Sequence, residues 1–100
     1  MIARIGYFPA LDQATKDIQD ENYRKRFRPA LKEQPGYLAT FMLESPGGER
    51  MSVSIWESVE EMEEGAKRAN AEPLLPNHRG EDIPGPIRAE IFKVIEADGL

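Results

Sequence analysis

Trp56 is the only tryptophan of the chain and His78 the only histidine. Trp56 ends an alternating run, "RMSVSIW", that places Ser52, Ser54 and Trp56 on one strand face and Met51, Val53 and Ile55 on the other. An aromatic wall flanked by two hydroxyls suits a flat, largely apolar ligand; the competing reading is that Trp56 simply fills a small core. His78, within "LLPNHRGED", carries an imidazole whose ordinary pKa of about 6.5 suits it to carry a proton near neutrality. It is the candidate catalytic residue, and its competing role is that of an exposed loop side chain. Arg79 beside it is a candidate clamp for an anionic group. Asn22 and Tyr23 offer hydrogen bonds to a substrate from a helical segment, against readings as helix surface and apolar stripe respectively.

Other chemistries are excluded by what the chain lacks. Without cysteine there is no disulfide, thiolate metal site, iron–sulfur cluster or thiol nucleophile. No Gly-rich phosphate loop, nucleophile elbow or metal-spaced histidine pair occurs. "EEMEE" reads as the acidic first turn of a helix, because a calcium loop needs a glycine turn and converging oxygens. No metal site is expected. "YRKRFR" suggests nucleic acid, but Asp20 and Glu21 stand four residues before Arg24 and Lys25 and can pair with them. With a net charge of −5, no nucleic-acid partner is expected.

Positioning these side chains falls to a chain of 100 residues, 40% hydrophobic and 31% charged, which reads as one globular domain over 1–100. "MIARIGYFPA" is too short and wrongly flanked for a signal peptide, so a cytoplasmic location and no membrane association are expected. Residues 2–8 form a first strand, closed by Pro9. Residues 12–34 read as helix with Asp12 as N-cap and an inward stripe of Ala14, Ile18, Tyr23, Phe27 and Leu31. Pro29 predicts a kink or break near Arg28, and "PG" stops the segment. Residues 37–43 and 50–56 form a hairpin across "ESPGGE". Ser58 and Glu61 form a capping box for a helix over 59–69, with Val59, Met62, Ala66 and Ala69 inward. A long irregular connection over 70–86 leads to a last strand over 87–97.

The order β-α-β-β-α-β is that of a ferredoxin-like α+β domain, an antiparallel sheet with two helices on one face. The other face should be polar if it met water. Strand two instead offers Tyr37, Ala39, Phe41 and Leu43 on one side and Leu38, Thr40 and Met42 on the other. Burial of the second face against another copy, giving a homodimer, is the expectation.

The stretch "PGYLATFMLESPGGERMSVSIWESVEEMEEGAKRA" resembles the antibiotic-biosynthesis-monooxygenase-like proteins of the dimeric α/β-barrel group. The matching features are Pro35-Gly36-Tyr37 leading into strand two, the hairpin at Ser45-Pro46-Gly47-Gly48, and Trp56-Glu57-Ser58 before an acidic helix. The resemblance implies two sheets packed face to face into a barrel, with a pocket in each subunit between sheet and helices. Some members oxygenate polyphenolic substrates with dioxygen and no metal or flavin, others bind and break down haem, and many have no assigned activity; no cofactor is expected here. The expected function is a small-ligand pocket protein, a cofactor-independent monooxygenase of aromatic or polyketide-like compounds, with a small aromatic or apolar ligand. The alternative is a non-catalytic ligand-binding or stress-associated dimer. Haem-degrading members also use a strand-one asparagine and a second-helix histidine; this chain has Arg4 or Gly6 at the first position, and its second helix contains no histidine. Haem degradation is therefore disfavoured.

Overall fold

Alternation of β-branched and aromatic residues, interrupted by Pro9, Pro35-Gly36 and "SPGG", divides the chain into short strands separated by helices. The structure is a computed structural model that describes residues 1–99. Its strands are β1 (Ile2–Tyr7), β2 (Tyr37–Glu44), β3 (Arg50–Trp56) and β4 (Arg88–Lys93). They form one antiparallel sheet in the order β2-β3-β1-β4. Between β1 and β2 run α1 (Gln13–Asn22), a π-helical turn over Tyr23–Phe27, and α2 (Arg28–Lys32); α3 (Val59–Asn70) follows β3. This is the expected ferredoxin-like α+β arrangement.

Both helix starts follow from local chemistry. Asp12 accepts from the Thr15 backbone N–H at 2.8 Å, and Ser58 Oγ accepts from the Glu61 N–H at 3.2 Å. These bonds satisfy amide donors that a helix start otherwise leaves open. The Thr15 bonds hold the Asp12 carboxyl below its usual value. The Ser58–Glu61 box differs from the standard form, because the Glu61 carboxylate accepts from the Ser58 hydroxyl at 3.0 Å.

Pro29 neither breaks nor ends the first helix. Its ring would clash with the carbonyl four residues back, and it has no N–H to donate. The helix widens just before it, so that the Arg28 N–H reaches back to the Tyr23 carbonyl. This one π turn absorbs the proline and lets α2 continue. It also changes the inward face. In an α-helix, residues four apart drift by about 40° per step; the wider turn offsets part of that drift. Gln19, Tyr23, Phe27 and Leu31 thereby stay over the sheet, all on one cavity wall. Ala14 is exposed and Ile18 half-buried, whereas the polar Gln19 and Asn22 are buried. The inward stripe therefore differs from the purely apolar one expected.

The sheet register sorts the strand residues onto two faces. Ile2, Arg4 and Gly6 oppose Trp56, Ser54 and Ser52 and face the helices. A bulge between Tyr37 and Ala39 inserts Leu38 and turns Tyr37 to the same side as Trp56. Tyr37 thus joins the core and does not share a face with Ala39, Phe41 and Leu43. The core comprises Ala30, Leu31, Trp56, Met62 and Ala69, with Ile2, Phe27 and Tyr37 packed against it. Each fully buried large side chain contributes about 1.5–3 kcal/mol. Val59 is exposed, contrary to the inward position expected, and Gly65 is buried in α3.

β4 is shorter than expected. Val94 donates to the Met1 carbonyl, where β1 runs out of partner residues. The connection over 71–87 is ordered by a short 3₁₀ turn, Gly80–Asp82, and by bonds from His78 to Leu75 and from Ile87 to Tyr7. No helix among the described residues is long and apolar enough to cross a membrane.

Candidate functional site

Three elements meet on the helix-facing side of the sheet. The strands supply Arg4, Thr40, Met42, Ser52, Ser54 and Trp56; the first helix supplies Gln19, Asn22, Tyr23, Phe27 and Leu31; α3 supplies Met62, Ala66 and Asn70. They line a cavity of about 290 Å³, to which Ile83, Pro84, Gly85 and Pro86 of the long connection also contribute. Ligand pockets run from roughly 300 to 1,000 Å³, so this one suits a compact ligand.

Trp56 forms the floor. It is 1% exposed, with the Tyr37 ring edge-on at 5.6 Å and 83°. Burial raises the Tyr37 pKa, and the nearby Tyr23 adds to the rise. Gly65 of α3 lies directly over the indole, because a Cβ there would fall 2.5 Å from Trp56 Cη2 and Cζ3. Trp56 is thus a core side chain that borders the cavity.

The polar groups of the wall have an unusual sign. Trp56 Nε1 and Gln19 Nε2 are buried donors without a hydrogen-bond partner among the described residues. Gln19 Oε1 accepts from Arg50 Nη1 at 3.0 Å, and Asn22 Oδ1 accepts from Arg26 Nη1 at 3.2 Å. Arginine only donates, so each guanidinium requires the amide oxygen on its own side and leaves the amide NH₂ on the other. Arg50 is itself fixed by Asp20 at 2.7 Å and Glu44 at 3.0 Å. Arg26 is fixed by the carbonyls of Asn70 at 2.8 Å and Glu72 at 2.7 Å, at the end of α3. Asp20 therefore pairs with Arg50 and not with Arg24, whereas Glu21–Lys25 forms as expected at 3.8 Å. Arg4, on the same wall, makes no ion pair among the described residues.

Of the residues the sequence singled out, Trp56, Ser52, Ser54, Asn22 and Tyr23 all line the cavity. His78 and Arg79 do not. His78 Nε2 lies 3.1 Å from Glu21 Oε1, with 7% of the side chain exposed, so it is neither a cavity residue nor an open loop side chain. Arg79 is exposed and pairs with Glu81 and Asp82. The 70–86 connection reaches the cavity through its proline-rich end instead. Gln19 carries no mark in the sequence, and Arg4 stands out there only as a strand-one position where haem-degrading proteins have asparagine. Gln19 lies four residues before Tyr23, and Arg4 pairs across the sheet with Ser54; the first spacing was visible, the second needed the register. Among the described residues no group of three or more acidic, histidine or cysteine side chains is placed to hold a metal.

No family model and no curated protein matches the chain. Solved structures do. The haem-degrader MhuD from Mycobacterium tuberculosis, with two haems in its active site, is 21% identical over 99% of this chain and 100% of its own, with a TM-score of 0.71. A Streptomyces coelicolor monooxygenase in complex with nanaomycin D is 19% identical over 99% and 91%, with a TM-score of 0.65. SnoaB, a cofactor-independent oxygenase from Streptomyces nogalater, is 12% identical over 96% and 94%, with a TM-score of 0.65.

Proposed function

We propose that this chain, which has the fold of the antibiotic-biosynthesis-monooxygenase-like proteins, binds a small planar aromatic compound in the Trp56 cavity and oxygenates it with dioxygen alone. The observation that carries this reading is the cavity itself: about 290 Å³, set between sheet and helices, with Phe8, Tyr23, Phe27 and Trp56 on its walls. Its neighbours in fold include a monooxygenase bound to nanaomycin D and a cofactor-independent oxygenase.

The chemistry asks little of the protein. A substrate methylene next to an electron-rich ring loses a proton, and the resulting carbanion or phenolate gives an electron to dioxygen. One oxygen atom then replaces the two methylene hydrogens as a carbonyl, and the other leaves as water with those hydrogens. The substrate supplies all four electrons. The protein's part is to hold the ring in a dry cavity and to stabilise the oxyanion with fixed donors.

The donor set suits haem poorly. The common haem ligand is imidazole, and the only one in this chain is held on Glu21, away from the cavity. A haemin titration should give no Soret shift.

The proposed working unit is a homodimer joined through the outer sheet face. By register that face carries Ala3, Ile5, Val53, Ile55, Ala39, Phe41, Leu43 and Phe92, with Arg88 and Glu90 at its β4 edge. Phe41, Leu43 and Phe92 are 43%, 44% and 45% exposed, and an antiparallel sheet facing water would carry polar residues there. Oxygen uptake with a panel of anthrones and quinols, under air and with chelator present, tests the activity. Protein-dependent consumption of one dioxygen per substrate is expected; binding of the panel without uptake would leave a ligand-binding protein and overturn the oxygenase reading.

A further inference from the structure

Most of the cavity lining is held by the sheet and helices. Phe8, just past β1, donates its N–H to the Arg50 carbonyl at 3.1 Å. Apart from it and Ile83–Pro86, every lining residue sits on a strand or in a helix. Residues 79–86 differ. Among the described residues, none of them makes a hydrogen bond or ion pair to the rest of the molecule. Asp82 and Ile83 donate to the Arg79 and Gly80 carbonyls, and the Arg79 guanidinium pairs with Glu81 and Asp82, so the polar groups of this segment serve one another.

Both ends of the segment are fixed. The His78 side chain, 7% exposed, has Nε2 3.1 Å from Glu21 Oε1 on α1, and Ile87 donates to the Tyr7 carbonyl of β1 at 2.8 Å. Ahead of His78, Arg26 holds the carbonyls of Asn70, Glu72 and Pro73. The inner part is stiff, because Pro84 fixes its own φ and keeps Ile83 extended, at φ −98° and ψ 112°. The cavity mouth lies beside it: the exposed lining residues are Glu63 and Asn70 of α3 and Gly85 and Pro86 of the segment. A Cβ added at Gly85 would meet nothing within 4 Å, so there is free space alongside. An apolar lip with fixed ends and no polar tie to the body can move without breaking a hydrogen bond.

We infer that residues 79–86 are a strap that closes over an aromatic ligand in the cavity, turning about His78 and Ile87. Closure buries Ile83 and Pro84, now half-buried, and Pro86, now exposed, against the ligand and excludes water from it. His78, expected from the sequence to move a proton, is on this account a positioning residue: its contact with Glu21 keeps the strap short. The inference rests on the cavity being the ligand site, as proposed above.

The test uses the intact chain and 2-methyl-1,4-naphthoquinone, which is flat and already oxidised. Hydrogen exchange resolved by amide reads the strap. Without the quinone, Asp82 and Ile83 should exchange at least about tenfold faster than Ile87, and saturating quinone should slow both by about tenfold. Asp82 does not line the cavity, so ligand contact alone does not protect it. Stopped-flow quenching of Trp56, the single tryptophan, gives the binding rates. Loss of the Glu21 contact lengthens the free strap from eight residues (79–86) to thirteen (74–86), and the added closure entropy lowers the closed population about twofold. His78→Ala should therefore speed dissociation about twofold and leave association unchanged. Glu21→Ala should do the same, and both changes together no more than either alone. Loosening of the cavity itself would alter association as well. Equal exchange at Asp82 and Ile87 in the free chain, bound quinone that leaves Asp82 unprotected, or unaltered dissociation in both variants overturns the strap. No quenching by the quinone overturns the cavity as ligand site, and the strap with it. Protection of Asp82 without oxygen uptake in the assay above supports the strap and overturns the oxygenase reading alone.

Discussion

Replacing Gly65 by alanine probes the contact on which the cavity floor depends. Glycine in the middle of a helix ordinarily destabilises by about 1 kcal/mol relative to alanine, so an exposed site would gain from the change. At Gly65 the new methyl would lie 2.5 Å from two indole carbons of Trp56 and 3.1 Å from Gln34 Cβ. Carbon atoms pack comfortably at about 3.5–4.0 Å, so the indole or the helix must move. Trp56 has little room, being 1% exposed and braced by Tyr37. Overpacking of this kind costs about 1–3 kcal/mol. Set against the propensity gain, Gly65→Ala should lower stability by roughly 0–2 kcal/mol, or by up to about 15 °C in Tm for a domain of this size. The sharper quantity is the coupling. In a Trp56→Phe background the second indole ring is absent, and Gly65→Ala should then raise stability by up to about 1 kcal/mol, less the cost of the remaining approach to Gln34 Cβ. Urea unfolding followed by circular dichroism, at one protein concentration for all four chains, measures both. Stabilisation by Gly65→Ala alone, or the same shift in both backgrounds, would refute the packing argument.

Arg26→Ala removes the guanidinium that joins the π turn to the carbonyls of Asn70 and Glu72; a loss of about 1–2 kcal/mol in urea unfolding is expected, with faster amide exchange at the end of α3. Glu44 is held below its usual pKa by hydrogen bonds from Lys16 and then Arg50. A carboxyl depressed by folding stabilises above its unfolded value, about 4.3, and loses that contribution as pH falls through its folded value. Glu44→Gln should therefore be less stable than the unmodified chain at neutral pH and equal to it in strong acid, which a pH series of unfolding curves checks. Phe41→Glu, on the outer sheet face, should convert the proposed dimer to monomer in light scattering while the far-ultraviolet circular dichroism stays unchanged.

The strands could be read from the sequence because alternation, glycine and proline mark them locally. "RMSVSIW" matches β3 residue for residue, and Trp56 shares its face with Ser52 and Ser54 as the alternation requires. Tyr37 was misplaced because a bulge is a choice of register, which local alternation does not show. The response to Pro29 was hidden for a related reason: a proline forbids one hydrogen bond, but only the packing of the helix on the sheet decides between a break and a wider turn. His78 attracted attention by residue type, yet the path of its loop sets it on Glu21. Gln19 and Arg4 read as ordinary helix and strand residues until the tertiary structure showed what their neighbours leave unpaired.

The central claim, oxygenation in the Trp56 cavity without a cofactor, is tested most directly by supplying heavy-isotope dioxygen to the chelator-treated protein and an anthrone it binds. Mass spectrometry of the product should show one labelled oxygen atom, with the other recovered in water, at a rate that scales with protein and falls when Ala66→Phe fills the cavity. Unlabelled product, or conversion no faster than in buffer, would contradict the account.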